Sequence, residues 1–240
     1  MKTALITGAS GAIGYAIAEK FLENGYFVVG TYNSSADTLK TLEKKYKDIF
    51  FSFKADLNST LDISALYSFC EKNFGHIDAL ILNAGKDIYK LLTDTIEEEW
   101  DEIFSVNVKS AFLLAKYCLP EMIRRKKGKI IFMSSVWGKV GASMETAYSA
   151  SKAALVGLTK SLAKEVSPSN INVNCVCPGV IESKMNARFN QAEMRDLIEQ
   201  TPLKKLGSPA DVAELCYFLC SENAAFITGQ AISVDGGFGL

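Results

Sequence analysis

The sequence predicts an α/β fold: one doubly wound parallel sheet of about seven strands, with helices on both faces. Three observations predict it. Short β-rich runs alternate with longer runs of helical periodicity along the whole chain. The strands are apolar throughout, as strands covered on both faces are. A repeated strand-helix-strand order demands right-handed crossovers in a parallel sheet. Ligands of such sheets sit beyond the carboxyl ends of the strands, so chemistry is expected there.

The elements follow in order. "TALIT" (3–7) is the first strand, and Ile13, Ala16, Ile17 and Phe21 form one face of the helix after it. "YFVVGT" (26–31) precedes a charged helix at 36–47, and "IFFSF" (49–53) precedes another at 60–74. "DALIL" (78–82) leads through a loop into a long helix from near Ile96 to near Arg124. "GKIIFMS" (128–134) leads through a longer loop to a helix at 147–166, and "INVNCV" (171–176) is the sixth strand. A helix from Pro209 to Cys220 and a last strand, "QAISVD" (230–235), complete the series. No linker, repeat or low-complexity stretch divides residues 1–240, which are expected to form a single domain.

Composition narrows the function classes. Twenty-six basic residues against 27 acidic ones offer no basic excess for nucleic acid or an anionic membrane. No apolar run approaches the ~20 residues of a bilayer span, and the start reads as a strand, not a signal peptide. The six cysteines lack zinc spacing and the chain has one histidine, His76, so buried thiols in a reducing cytoplasm are expected, with no metal.

"ALITGASGAIG" places Gly8, Gly11 and Gly14 between the first strand and the first helix. Glycines there allow a tight turn and let backbone amides approach a pyrophosphate at the helix N-terminus. The second strand ends in "GTYNSSAD", and its first acid is Asp37. No carboxylate sits where it would repel a 2′-phosphate, and Asn33 and Ser34 could donate to one. NADP(H) is therefore the expected cofactor, with NAD(H) the alternative.

In "AYSASKAALVGLTKSLAKEV" (147–166), Tyr148 and Lys152 sit four apart, hence on one helix face. A phenol has a pKa of about 10, and a nearby ammonium lowers it, giving a general acid or base. With 9 tyrosines in the chain, such a pair carries little weight by itself.

Its company changes that. "TGASGAIG" (7–14), "ADL" (55–57), "NAG" (83–85), "VNV" (106–108), "SS" (134–135), "YSASK" (148–152), "PGVIESKM" (178–185) and "ITGQAISVDGG" (227–237) occur in this order and spacing. Over essentially its whole length the sequence resembles the short-chain dehydrogenase/reductase family, most like its bacterial 3-oxoacyl-[acyl-carrier-protein] reductases. Two departures are Ala12, where short members have their second glycine, and Leu82, where many have an asparagine.

The resemblance implies a Rossmann fold and a catalytic set of Asn107, Ser135, Tyr148 and Lys152. Tyr148 would exchange the proton, and Lys152 would support it and bind the nicotinamide ribose. Ser135 would hold the substrate oxygen, and Asn107 a relay water. The implied cofactor contacts begin in the first turn, at Gly8, Ser10, Gly11, Ala12, Ile13 and Gly14. They continue through Tyr32, Asn33 and Ser34 to Asp56 and Leu57 at the adenine. Asn83, Ala84 and Gly85 would follow the adenosine ribose, and Pro178, Gly179, Val180 and Ile181 the nicotinamide end. Asp56 as a helix cap is the local alternative, and Asp78 and Asp235 read as structural.

Residues 181–206 would be the substrate lid, with Met185, Phe189, Met194 and Leu197 shaping the pocket. The implied reaction is reduction of a 3-oxoacyl thioester on a carrier protein. Alternatives are the 5-aminopentanone-modified lysine of elongation factor P, a steroid or a sugar alcohol. A dinucleotide sensor without turnover is the alternative of another class. The basic cluster "RRKKGK" (124–129) could meet an acidic carrier protein or could be a solvated helix end. The resemblance also implies a homotetramer, with Phe104, Phe112 and Leu113 near one two-fold axis.

Overall fold

The computed structural model describes residues 1–183 and 189–240. Seven parallel strands form one sheet: β1 (Thr3–Ile6), β2 (Phe27–Tyr32), β3 (Phe50–Lys54), β4 (Ala79–Leu82), β5 (Gly128–Met133), β6 (Ile171–Pro178) and β7 (Ala231–Val234). Their order is β3-β2-β1-β4-β5-β6-β7. The sequence therefore located every strand to within two residues at each end.

The helices are α1 (Ala12–Glu23), α2 (Lys40–Lys45), α3 (Thr60–Phe74), α4 (Glu97–Phe104), α5 (Ser110–Arg125), α6 (Trp137–Val140), α7 (Thr146–Val166), α8 (Gln191–Gln200) and α9 (Pro209–Cys220). Alternation along each strand sorts the core into two layers. Leu5, Leu80, Ile130 and Phe132 meet Leu66, Leu114 and Leu155 of α3, α5 and α7. Ala4, Ile6, Ile81, Ile131 and Val176 meet Ile17, Phe21, Leu42 and Leu219 of α1, α2 and α9. Cys175 and Cys177, two apart on β6, share the α7 side, and all six cysteines are buried and free.

Three expectations are corrected. The helix expected at 36–47 is a 3-10 turn, Asp37–Leu39, followed by the short α2, because Asp37 is drawn into a turn with Ser35. The helix expected from 96 to 124 is broken in register by a π-helical turn, Ser105–Lys109, between α4 and α5. A wide turn admits an extra residue, here in the segment that buries Asn107. The basic cluster lies at the end of α5 and the start of β5, at the amino edge of the sheet and away from the strands' carboxyl ends. There Arg124 is exposed and binds Glu121 (2.7 Å), whereas Arg125 binds the buried Asp78 (2.7 Å) and is a structural partner instead of a solvated cation.

Asp78 ties three elements at that amino edge. Its Oδ2 accepts from Thr3 N (2.8 Å) at the start of β1, and its Oδ1 accepts from Arg125 (2.7 Å) at the end of α5. The residue is 6% exposed, so the carboxylate and the guanidinium depend on each other. Asp78→Ala is expected to lower unfolding stability by about 3–5 kcal/mol, the usual cost of stripping one partner from a buried pair. Urea unfolding would read this as a lower midpoint at unchanged slope, and a loss below about 1 kcal/mol would contradict it.

Candidate active site

The strand order reverses between β1 and β4, the switch point of a doubly wound sheet. A cleft of about 1100 Å³ opens there at the carboxyl edge. Its floor begins at the turn between β1 and α1. Asn83 Nδ2 donates to the Thr7 carbonyl (2.9 Å) and reaches the Gly8 carbonyl (3.3 Å), while Ala84 N donates to Thr7 Oγ1 (3.0 Å). These bonds clamp the turn to the chain leaving β4.

The three glycines have different reasons. Gly8 has φ +67°, and a Cβ there would lie 2.9 Å from Ala84 Cα. At Gly14 a Cβ would come within 2.2 Å of the Gly8 carbonyl oxygen. At Gly11 the nearest protein atom would be an ordinary 3.5 Å away, so protein packing does not demand glycine. What Gly11 keeps clear is the space before the first turn of α1. That turn carries no side-chain cap and no acidic residue, leaving its amides and positive dipole end to face the cleft. A pyrophosphate fits this cradle.

The cleft gathers most of the sequence-derived set. Gly8, Ser10, Gly11, Ala12, Ile13, Gly14, Tyr32, Asn33, Asp56, Leu57, Asn83, Ala84, Gly85, Ser135, Tyr148, Lys152, Pro178, Gly179 and Ile181 all line it. Three do not. Ser34 is exposed, carried past the wall as the chain enters the Ser35–Asp37 turn. Val180 lends its carbonyl to Gly207 N (3.0 Å), and Asn107 is buried behind the wall. Asp56 forms a turn with Asn58 N (2.9 Å), while the cap of α3 is Ser59, so the cap alternative for Asp56 falls.

Residues not anticipated also line the cleft, among them Thr38, Thr41, Asn58, Lys86 and Glu102. Thr38 and Thr41 stand at helical spacing just past the second strand, a signal the sequence did carry. The Asp37 carboxylate is held by Ser35 Oγ (2.8 Å) and Lys40 Nζ (2.6 Å) and is not part of the wall. In the segment 181–206, Ile181 and Ser183 line the cleft among the described residues. Met194 and Leu197 do not, Phe189 packs on the Tyr89 ring (6.3 Å), and Met185 lies outside the described residues.

The Tyr-Lys pair stands on the first turns of α7. Lys152 is 3% exposed; its Nζ donates to the Met133 carbonyl (2.8 Å) and lies 5.5 Å from the centre of the Tyr148 ring. A Cβ on Gly85 would sit 3.0 Å from Nζ, so the glycine lets the chain after β4 close over the ammonium. Ser134 Oγ donates to the Lys152 carbonyl (2.8 Å), fastening α7 to β5. Ser135 Oγ accepts from Trp137 N (3.2 Å), and its proton meets no protein acceptor among the described residues. Asn107 Oδ1 accepts from Lys86 N (2.7 Å), and its Nδ2 donates to Lys86 O (2.9 Å) and Ser151 Oγ (2.9 Å).

Electrostatics set Lys152 apart. Burial pulls its ammonium down to about 8, while Cys175, Cys177 and Asp87 work in the opposite direction. Burial pushes the thiols of Cys70 and Cys220 up to about 12, so these are packing groups and not nucleophiles. A phenol beside a buried ammonium and a hydroxyl with a free proton can together protonate, or deprotonate, an oxygen in the cleft.

The chain is similar over nearly its whole length to known proteins. A family model described as enoyl-(acyl carrier protein) reductase matches residues 8–239. An uncharacterized oxidoreductase of Bacillus subtilis, YmfI, is 39% identical over 99% of this chain and 98% of its own. Nodulation protein G of Rhizobium meliloti is 37% identical over 100% and 97%. The 3-oxoacyl-[acyl-carrier-protein] reductase FabG of Staphylococcus aureus is 37% identical over 98% and 97%.

The folded-state value for Lys152 lies below the unfolded one, so between about pH 8 and 10.5 the unfolded chain holds a proton that the folded chain lacks. This residue therefore adds stability as pH rises through that window. Below it the full burial cost, on the order of 3 kcal/mol, is present. Lys152→Met is expected to exceed the parent in stability at pH 7 by about 1–3 kcal/mol, with the gap narrowing toward pH 10.5. Urea unfolding without dinucleotide checks it; a variant less stable at pH 7 would contradict the assignment.

Proposed function

The chain belongs to the short-chain dehydrogenase/reductase family and is an NAD(P)-dependent oxidoreductase, and from that premise we propose that it reduces a carbonyl with Tyr148 as proton donor. The observation that carries this reading is the buried ammonium of Lys152 beside the Tyr148 ring, at the wall of the cleft. A protein does not bury an ammonium with one carbonyl partner for packing, because burying the charge costs stability. Beside a phenol the same charge favours phenolate and eases proton release.

The bound nicotinamide would supply the hydride to the carbonyl carbon. Ser135 donates its free O–H to the carbonyl oxygen and fixes its position. Tyr148 passes its proton to that oxygen as the charge develops, and Lys152 stabilises the phenolate left behind. The Asn107 amide is engaged with Lys86 and Ser151, so a relay water at Asn107 would rest on its main-chain carbonyl. Both hydroxyls serve an oxygen, which favours C=O over C=C reduction despite the family model's description.

The proposed cofactor is NADPH. Asp37 is turned onto Ser35 and Lys40, and the wall near the end of β2 offers Asn33 and Thr41, neutral donors compatible with a 2′-phosphate, while the Thr38 hydroxyl donates to the Ser10 carbonyl (3.0 Å). The proposed substrate is a 3-oxoacyl thioester, supported by full-length relatives named for that activity. Another ketone or alcohol is the second reading, kept because equally similar full-length relatives carry other names. We place the enzyme in the cytoplasm: no helix among the described residues is long and apolar enough to cross a membrane. Residues 181–206 are proposed as the substrate lid of one domain spanning 1–240. A tetramer is proposed on the half-exposed Phe112 of α5, and a monomer in sedimentation at micromolar concentration would overturn it.

Initial rates with acetoacetyl thioester and NADPH, with NADH as the paired control, test substrate and cofactor together. NADPH-selective turnover is expected. Binding of NADPH without turnover would keep the family and discard the substrate. Tyr148→Phe is expected to lower kcat by about 10²–10⁴ with dinucleotide affinity unchanged, and undiminished turnover would remove Tyr148 from the reaction.

A further inference from the structure

Ser151 is fully buried on α7, between Tyr148 and Lys152 in sequence. A helical serine often bonds the carbonyl three residues back, and Ser151 Oγ does so to Tyr148 O (2.7 Å). That local bond would ordinarily exhaust its meaning. Here the same oxygen also accepts from Asn107 Nδ2 (2.9 Å), a residue 44 positions away in the π-helical turn. Asn107 in turn grips both the N–H and the C=O of Lys86. Lys86 follows Gly85, where an added Cβ would lie 3.0 Å from the Lys152 ammonium.

The bonds form one chain: Tyr148 carbonyl, Ser151 hydroxyl, Asn107 amide, Lys86 backbone. It joins the helix that carries the reacting phenol to the loop that roofs the ammonium. We propose that Ser151 is a positioning residue, which sets the spacing between the Tyr148–Lys152 face of α7 and the Gly85–Lys86 loop. It touches neither substrate nor cofactor. The proposal rests on Tyr148 and Lys152 being the reacting pair. If the link is cut, Asn107 loses a buried acceptor, the loop relaxes, and the ammonium gains freedom to drift from the phenol.

The test uses the full chain in four forms: parent, Ser151→Ala, Asn107→Asp and the double variant, with Tyr148→Phe alongside. Asn107→Asp keeps an acceptor for the Lys86 amide and removes the donor to both Ser151 and the Lys86 carbonyl. Ser151→Ala is expected to lower kcat about ten- to hundredfold, as a small misplacement of reacting groups does. Dinucleotide binding, read by NADPH fluorescence, is expected to stay within about twofold of the parent, because the cradle at α1 is untouched. The pH limb assigned to Tyr148 in oxidation of a 3-hydroxybutyryl thioester is expected to rise by at least about 0.5, because the ammonium supports the phenolate less well. Hydrogen exchange at the Lys86 amide is expected to quicken, a readout that needs no substrate. The double variant is expected to be no slower than Asn107→Asp.

A parent-like pH limb in Ser151→Ala, or losses that multiply in the double variant, would overturn the proposal. If Ser151→Ala does not fold, Ser151→Cys, which weakens the acceptor without emptying the site, decides alone, and a parent-like pH limb with unchanged Lys86 exchange counts against the proposal. Should Tyr148→Phe keep its turnover, the catalytic reading itself falls. Should Tyr148→Phe lose turnover while Ser151→Ala matches the parent, only the role of Ser151 falls.

Discussion

The cost of burying the Lys152 ammonium governs the architecture around the cleft. A charge taken out of water must be compensated or it unfolds its surroundings. The compensation is spread over several elements: the Met133 carbonyl at the end of β5, the Tyr148 ring one turn back on α7, and the negative influence of Asp87. Each must come close, and glycine is what permits it. A side chain at Gly85 would meet the ammonium at 3.0 Å, and one at Gly138 would meet Ser134 Oγ at 2.7 Å and the Lys152 carbonyl carbon at 2.8 Å. The site is thus a place where the fold accepts lower stability so that a charge can stand beside a phenol.

A second constraint acts at the switch point. Reversal of strand order between β1 and β4 leaves a gap at the carboxyl edge, and the Asn83 clamp holds it open at a fixed width. Gly8 and Gly14 are small because Ala84 and the Gly8 carbonyl crowd them. Gly11 meets no such crowding, since an added Cβ would lie 3.5 Å from its nearest neighbour, and it lines the open cleft. Ala12 stands beside it as the first residue of α1 and lines the same cleft.

Much of this was legible in the chain. Apolar strands and three-four periodicity located the sheet and the long helices, since burial on both faces leaves that pattern at any depth of tertiary detail. The glycine turn, Asn83, Ser135, Tyr148 and Lys152 were marked by order and spacing. Less visible was the break at Asn107. A π-helical turn keeps helical composition, so residues 96–124 read as one helix although the register shifts inside it. The fate of Asp37 was hidden as well, because a carboxylate's direction depends on the local turn it joins.

The sequence by itself determined the class of fold, and it marked the phenol and the lysine that the structure brings together at the carboxyl edge of the sheet. Periodicity and spacing are properties of the chain, and they survive without coordinates. Only the tertiary structure decided that "RRKKGK" faces away from the cleft and that Ser34 and Val180 leave the wall which Thr38 and Thr41 join. It alone brought Ser151 onto Asn107 across 44 residues. These are matters of direction and closure in space, set by how helices pack on a sheet and by which buried polar groups find partners.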